Sequence, residues 1–489
     1  MIKGMRTPRT PLLLIPLVGI LLLLGGCAPT PSEEILPTPA VETPTATPIA
    51  ARPEYKPGEW VSYTAQTGDT LPALAAHFNT TIEEILEANP LIPEDVTTLP
   101  PGMPMRIPIY YLPFWGNPLH ILPDSAFVNG PDAVGFDTQA FVDAYPGWLS
   151  NYEDYVGDKN RTGAEIVEYV ALNFSVSPRV LLALLEYQAG ALTNPSPPDT
   201  PYILGYEEPT MHRGMYLQLV WAANALNNGY YGWRSGHLTE FEHPDGTLER
   251  PDPWQNAATV GIQYYFSRIL SGEAYARAIS ETGFFQTYRA LFGEPEAHIL
   301  IPGNLRQPPF VLPFPEGHTW TYTGAPHTGW GQGEPFAAVD FAPPSSQSGC
   351  FKAAPQEYAV AMADGMVVRS ETGIVVLDLD GDGEERTGWD IFYLHVATEG
   401  RAPEGVFLQA GESIGYPSCE GGRTTGTHIH IVRKYNGEWI RADSPIPLNM
   451  EGWIPHDGDR AYKGTLTRNG VTIVASDVSN AQSQVTAGK

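Results

Sequence analysis

His428-Ile429-His430 sets two imidazoles one residue apart. Along a strand, alternate side chains share a face about 7 Å apart, so one ring of such a pair can ligate a metal while the other acts beside it. The pair follows Gly421-Gly422-Arg423-Thr424-Thr425-Gly426, a turn-rich lead-in suited to holding the start of a strand at a cleft. His327 and Asp340 lie upstream, and Tyr393-Leu394-His395 brings a further histidine on another strand-like run. A catalytic zinc asks for three nitrogen or oxygen ligands and one open position, which a His, Asp, His set supplies. Zinc so held lowers the pKa of its water to about 7 and polarises a carbonyl oxygen, which is the chemistry of peptide-bond hydrolysis. The histidines left over from ligation would take up the proton and steady the oxyanion.

A second group is acidic. Asp378-Leu379-Asp380-Gly381-Asp382-Gly383 begins like an EF-hand calcium loop, but Trp389 stands at position twelve, where that loop carries a bidentate Glu. The run lies between two β-patterned stretches, so it reads either as an acidic hairpin turn or as a structural calcium site on Asp378, Asp380 and Asp382.

The elements that must position these residues follow from the rest of the chain. Its 489 residues exceed one hydrophobic core, and a prior of about 150 residues per domain suggests three or so. With 28 basic and 55 acidic residues the formal charge is −27, which argues against nucleic acid as a partner. Lys3, Arg6 and Arg9 precede an apolar stretch, Pro11 to Leu24, too short to span a bilayer comfortably, as in an export signal. Leu24-Gly25-Gly26-Cys27 resembles a lipobox, which implies acylation of Cys27 and a lipid anchor on the outer face of the membrane. Cys350 and Cys419 then remain, and an exported chain with one leftover pair most simply forms one disulfide, a free buried pair being the alternative. Closing so long a loop would stabilise the fold by about 4 kcal/mol in the chain-entropy model. From Ala28 to about Pro57, repeated Pro and Thr with few large apolar residues predict a semi-rigid stalk.

Residues 59–110 read as a βααβ unit. Trp60 to Thr64 is strand-like, Gly68-Asp69-Thr70 turns, and Leu71, Leu74, Ala75 and Phe78 fall at helical spacing. Thr81 with Glu84 forms a capping box before a second short helix, Asn89-Pro90 stops it, and Met105 to Pro108 closes the unit as a strand. YTAQTGDTLPALAAHF, IEEILEANP and LPPGMPMRIP in this order closely resemble a LysM module, which implies binding to N-acetylglucosamine-containing glycan.

Residues 111–304 are mainly helical by pattern. Ser177-Pro178 starts one helix with Val180, Leu181, Leu184 and Leu185 as its apolar stripe, and further helices are expected at 214–227, 257–270 and 273–291. SPRVLLALLEYQAG faintly resembles the goose-lysozyme and lytic-transglycosylase fold, but Gln188 would stand where that family has its acid. An amide cannot protonate a glycosidic oxygen, and Glu186 points to a different helix face, so the domain reads as inert toward glycan or as a helical spacer.

From about Leu305 to Ile473, short β-patterned runs alternate with Gly- and Pro-rich turns and imply an antiparallel β fold. Here PFPEGHTWTYTGAPHTGWGQGEPFAAVDFAP, YLHV and CEGGRTTGTHIHIVRKYNGEWI resemble, in order, the motifs of the lysostaphin-type zinc metallopeptidases (peptidase family M-23), in particular the staphylolysin or β-lytic branch. That resemblance implies His327, Asp340 and His430 as zinc ligands and His395 and His428 as catalytic histidines, and it matches Cys419 to a half-cystine. The domain order expected is then signal peptide 1–26, Pro/Thr-rich linker 27–58, LysM 59–110, helical domain 111–304, zinc endopeptidase 305–475 and a disordered tail 476–489. Cleavage of stem or cross-bridge peptides in peptidoglycan, with LysM on the glycan, is the function implied. The competing reading is a lipid-anchored wall-binding scaffold or hydrolase activator with a vestigial metal site, and zinc content separates the two.

Overall fold

The computed structural model describes residues 54–208 and 210–488; the expected export signal, Cys27 and most of the expected linker lie outside the described residues. Residues 59–109 form the expected βααβ unit: β1 (Glu59–Thr64), α1 (Leu71–His77), α2 (Ile82–Ala88) and β2 (Pro104–Ile109), with β1 and β2 paired antiparallel. The local signals act as the sequence predicts. Thr70 caps α1 by accepting from the Ala73 amide, and Thr81 and Glu84 form a complete capping box on α2. Val61 and Tyr63 point inward from β1 onto Leu74, Phe78, Ile85 and Ile107, while Trp60 stays exposed.

The helical region contains α3 (Asp124–Phe127), α4 (Thr138–Asp143), the hairpin β3 (Glu153–Val156) and β4 (Lys159–Thr162), α5 (Gly163–Phe174), α6 (Pro178–Ala189) and α7 (Met215–Arg234). Behind them come the short pair β5 (Phe241–Glu242) and β6 (Leu248–Glu249), then α8 (Ala257–Ser267), α9 (Gly272–Ala278) and α10 (Phe284–Phe292). Val180 through Leu185 are buried on every side, so α6 is the central helix rather than an amphipathic surface one. Where α7 meets α8, a Cβ on Gly229 would come within 2.8 Å of the Gly261 Cα, and only glycine permits that approach. The single helix expected over 273–291 is in fact two, α9 and α10. The first run ends at Ala278, and Gly283, the N-cap of the second, folds back onto that end so closely that a side chain there would strike the Arg277 and Ala278 carbonyl oxygens at 2.2 and 2.3 Å.

The C-terminal region is a nine-stranded antiparallel sheet. Its strands are β7 (Thr319–Thr328), β8 (Phe336–Ala342), β10 (Gly365–Glu371), β11 (Gly373–Asp378), β12 (Trp389–Val396), β13 (Phe407–Leu408), β15 (Ile429–Tyr435), β16 (Glu438–Trp439) and β20 (Gln484–Thr486). The order across it is β13-β10-β11-β12-β15-β8-β7-β20, with β16 paired to β15. Two smaller sheets flank it, β9 (Ala359–Val360) with β14 (Ser413–Gly415), and β17 (Ile454–Asp457) with β18 (Gly464–Arg468) and β19 (Val471–Val474). The tail expected to be disordered is instead an ordered edge: β20 pairs with β7, and Ser483, Val485 and Ala487 are buried. Its alternation of small apolar and polar residues is too short to register as a strand without the β7 edge that it covers.

Both faces of the large sheet are buried, which is why β11 reads as an unbroken apolar run, Ile374 to Leu377. Val375, Leu377, Ile391, Tyr393 and Ile431 face one core together with Trp320, Tyr322 and Phe341. Ile374, Val376, Phe392 and Val432 face the other way and share a single core with the helices. Buried ion pairs hold this junction: Arg234 of α7 reaches Glu438 of β16 and Asp124 of α3, each at 2.9 Å, and donates to the Thr67 carbonyl oxygen of the LysM unit. Such a cluster fixes register more than it adds stability, since removing one partner would strand a buried charge.

Candidate metal centre

β7, β8 and β15 are neighbours in the sheet and bring His327, Asp340 and His430 together, although the two histidines are 103 residues apart in sequence. His430 sits directly opposite Asp340 in the β8–β15 register. Irregular pairing of β7 with β8 turns the chain so that Gly324 also lies opposite Asp340 and His327 is carried to the same face. A Cβ on Gly324 would lie 2.5 Å from the Asp340 carboxylate, so the glycine makes room for that oxygen. Three atoms converge. His327 Nε2 is 3.0 Å from His430 Nδ1 and 3.3 Å from Asp340 Oδ1, and His430 Nδ1 is 3.1 Å from the same oxygen.

The outer nitrogens decide what those atoms can do. His327 Nδ1 lies 2.8 Å from the Ala325 carbonyl oxygen and His430 Nε2 lies 3.0 Å from that of Gly329. A carbonyl only accepts, so each outer nitrogen must carry the proton, and in the neutral rings the inner nitrogens are bare lone pairs. Two lone pairs and a carboxylate oxygen about 3 Å apart repel one another unless a cation lies among them. Ligands 2.0–2.1 Å from a tetrahedral zinc stand about 3.3 Å apart, so the triangle fits one face of that geometry. The carbonyls of Ala325 and Gly329 are the outer supports that such ligands require.

The electrostatics agree. Burial works to raise Asp340, yet the surrounding histidines, His327 first and then His428, hold it well below the usual carboxylate value. Burial also lowers His430, with Asp340 opposing. A charged aspartate beside a neutral histidine is the protonation state that ligands need.

His395 and His428 complete the cluster, with ring centroids 4.5 Å apart. Their Nδ1 atoms donate to carbonyl oxygens of the glycine-rich 420–426 loop: His395 to Glu420 and His428 to Gly426, both at 2.8 Å. Each therefore turns an Nε2 lone pair inward, and His428 Nε2 lies 3.7 Å from Asp340 Oδ1. His395 occupies a bulge in the β11–β12 pairing with φ +66°. Simple alternation would aim it at the face opposite Leu394; the left-handed bulge re-aims it toward the metal ligands, a strained conformation of the kind concentrated at functional sites. Burial first, then the rings of His428 and His430, push its pKa down to about 3, so it is neutral at physiological pH.

The disulfide forms between Cys350 and Cys419 and ties the 343–358 segment to the loop that holds these two rings. Thr427 reinforces the tie by bonding both the amide and the carbonyl of Phe351.

Several contributors were not legible in the sequence. Tyr462 stacks on His327 with centroids 3.9 Å apart, and Thr424 Oγ1 lies 3.2 Å from His428 Nδ1. Neither stands in a pattern with the histidines. The helices also border the site: the loop following His327 docks on α7, where Asn224 accepts from the Gln332 amide and Asn228 from the Glu334 amide, both at 2.7 Å. The face of the sheet carrying the histidines is thus the face that the helical region packs against. A cavity of about 310 Å³ between Thr70, Arg234, Glu438 and Arg441 lies at the three-way junction and contains none of these five residues.

Glu186 accepts from the Leu192 and Thr193 amides and from the Thr193 hydroxyl, closing its own loop, and Gln188 faces Tyr265 at 3.5 Å. Asp378 accepts from the amides of Asp380, Gly381 and Gly383, so the acidic run is a hairpin turn joining β11 to β12.

Residues 63–108 match the LysM domain and residues 120–304 match the N-terminal domain of LasA, which covers the segment with the faint lysozyme likeness. Protease LasA of Pseudomonas aeruginosa strain UCBPP-PA14 is 27% identical over 362 residues, which span 69% of this chain and 80% of that protein. LasA of strain PAO1 is 26% identical over the same length. Among solved structures, the deep-sea metalloprotease pseudoalterin is 22% identical with a TM-score of 0.29, over 35% of this chain and 96% of that one. Lysostaphin from Staphylococcus simulans is 15% identical with a TM-score of 0.17, over 35% of this chain and 91% of that one. A LysM domain joined to the N-terminal domain of LasA, likeness to the protease LasA over 69% of the chain, and a sheet that brings His327, Asp340 and His430 together support a LysM-containing metalloendopeptidase directed at peptidoglycan.

Proposed function

We propose that His327, Asp340 and His430 hold a zinc ion and that His395 and His428 act beside it to hydrolyse a peptide bond in the stem or cross-bridge of peptidoglycan, while the LysM unit binds the glycan. The observation that carries this is the triangle of three proton-free ligand atoms, in which each histidine is held by a backbone carbonyl on its outer nitrogen. Zinc bound there supplies Lewis acidity toward the scissile carbonyl and a water that ionises near neutral pH. His395 and His428 have the inward Nε2 lone pairs needed to accept the water proton and return it to the leaving amine. Once protonated, either ring becomes a donor to the tetrahedral oxyanion. The Glu420 and Gly426 carbonyls keep both rings in the tautomer that leaves Nε2 free.

On this reading the Pro/Thr-rich linker and an acylated Cys27 hold the enzyme on the outer face of the membrane within reach of the wall. Labelling with a fatty acid that is lost in Cys27→Ser tests the anchor. The function is tested by zinc stoichiometry on the chain lacking residues 1–27, together with peptide release from purified peptidoglycan by wild type and His430→Ala. One zinc per chain and release abolished by the substitution support the enzyme; metal-free protein that binds glycan and cuts nothing when zinc is supplied makes it a wall-binding scaffold.

A further inference from the structure

The acidic hairpin between β11 and β12 is not used by peptide hydrolysis, yet it begins at the buried Asp378. Carboxylate oxygens of Asp378, Asp380 and Asp382 come within 4.8 Å of one another. Behind them stands a residue the motif does not include. Asp390 of β12 is directly opposite Asp378 in the antiparallel register, so the two side chains share a face, and both are 0% exposed. Neither carboxylate oxygen of Asp390 has a hydrogen-bond partner. A buried, unpaired carboxylate facing another carboxylate is costly unless positive charge lies between them.

Side chains supply little of that charge. Arg369 pairs with Glu385 at 2.8 Å and Arg386 with Glu384 at 2.6 Å. Lys434, directly opposite Asp390 in the β12–β15 register, acts on that carboxylate electrostatically, but its ammonium sits 4.3 Å over the Trp439 ring and hydrogen-bonds neither Asp390 oxygen. Among the described residues, Asp378, Asp380 and Asp382 form no ion pair with Lys or Arg. Gly388, with φ +63°, leaves the space that Asp380 folds into, since a Cβ there would meet Asp380 Oδ2 at 2.0 Å.

We propose that Asp378, Asp380 and Asp382 hold a calcium ion, with Asp390 supplying the further carboxylate behind them. Oxygen-only, carboxylate-rich ligation from a flexible loop suits calcium rather than zinc. The missing bidentate Glu, with Trp389 in its place, sets the affinity at the weak end, on the order of 10⁻⁴–10⁻³ M, the range of extracellular modules. The ion would order a loop that stitches the sheet to the helices. Arg386 donates to the Ala133 carbonyl oxygen at 3.2 Å, and Gly388 and Asn436 bond each other while Asn436 reaches the Leu300 carbonyl oxygen at 2.7 Å.

The test uses the zinc-loaded chain, passed over a chelating resin and checked for retained zinc. Terbium is titrated in while its luminescence is excited through Trp389, calcium is used to displace it, and the Tm is read with and without about 5 mM calcium. Saturable luminescence reversed by calcium and a Tm rise of about 2–5 °C are expected. Asp380→Asn and Asp382→Asn should lose both responses and still release peptides, which shows they fold. Asp390→Asn should raise the calcium-free Tm by relieving repulsion with Asp378 and narrow the calcium-dependent rise. A flat terbium titration with an unchanged Tm overturns the site. A calcium-dependent rise that survives in Asp380→Asn and Asp382→Asn overturns its assignment to this loop.

Discussion

The sheet carries two clusters suited to cations, and they are built by opposite means. His327, Asp340 and His430 come from three adjacent strands and are buried, and both histidines tie their outer nitrogens to backbone, so the ligand atoms stand where a metal would need them. Asp378, Asp380 and Asp382 come from five consecutive residues at one turn, and only Asp378 is buried. The first cluster is preorganised by the packing of the sheet, whose strands cannot shift without unpairing ladders. The second relies on a loop whose own amides satisfy much of its charge. A catalytic centre needs the former, because ligand geometry held in advance favours the open coordination position that chemistry uses. A cation that only braces a loop can use the latter.

The largest effect should come from His430→Ala, which removes a zinc ligand: bound zinc is lost and peptide release falls to background, while any calcium-dependent rise in Tm persists. Zinc retained at full stoichiometry would show that the two clusters are not separate in the way described. Next, His395→Ala and His428→Ala should each keep zinc and lower kcat by about 10²–10⁴-fold, the usual contribution of a positioned proton-transfer group. Loss of zinc from either would move that histidine into the ligand set. Removing the disulfide by the double substitution Cys350→Ser with Cys419→Ser should cost about 4 kcal/mol in the chain-entropy model, read from the denaturant midpoint, for a closure that spans 69 residues. Because that closure braces the 420–426 loop, activity should fall more than terbium binding at the acidic turn; equal losses would mean global loosening instead.

The smallest effect lies away from both clusters and serves as their control. His77 of the LysM unit stacks on Trp233 at 3.4 Å and its Nε2 lies 2.9 Å from that residue's carbonyl oxygen. Burial lowers its pKa from 6.5 to about 3. The unfolded chain binds more protons between those values, so stability is full above pH 6.5 and declines as pH falls toward 3, by at most about 1.4 kcal/mol per unit. Acid unfolding of His77→Phe should have a shallower pH slope in that window, and an identical slope would remove His77 from the account.

The sequence by itself determined the chemistry and the local elements. His-x-His on an alternating run, the capping box of the second LysM helix and the acidic turn are all short-range patterns, and each is found where the spacing put it. Residues 476–489 and the break at Gly283 were misjudged because a strand edge and a close carbonyl contact are properties of neighbours distant in sequence. Tertiary structure alone decided which five residues meet, through a β8–β15 register that sets His430 against Asp340 and a left-handed bulge that turns His395 onto their face. It also decided that the helical region packs on that face, since only the burial of Ile374, Val376, Phe392 and Val432 reveals which side of the sheet the helices cover. Alternation along a strand tells which residues share a side but not what covers it, because both sides of this sheet are apolar and the choice between them is made by contacts between domains.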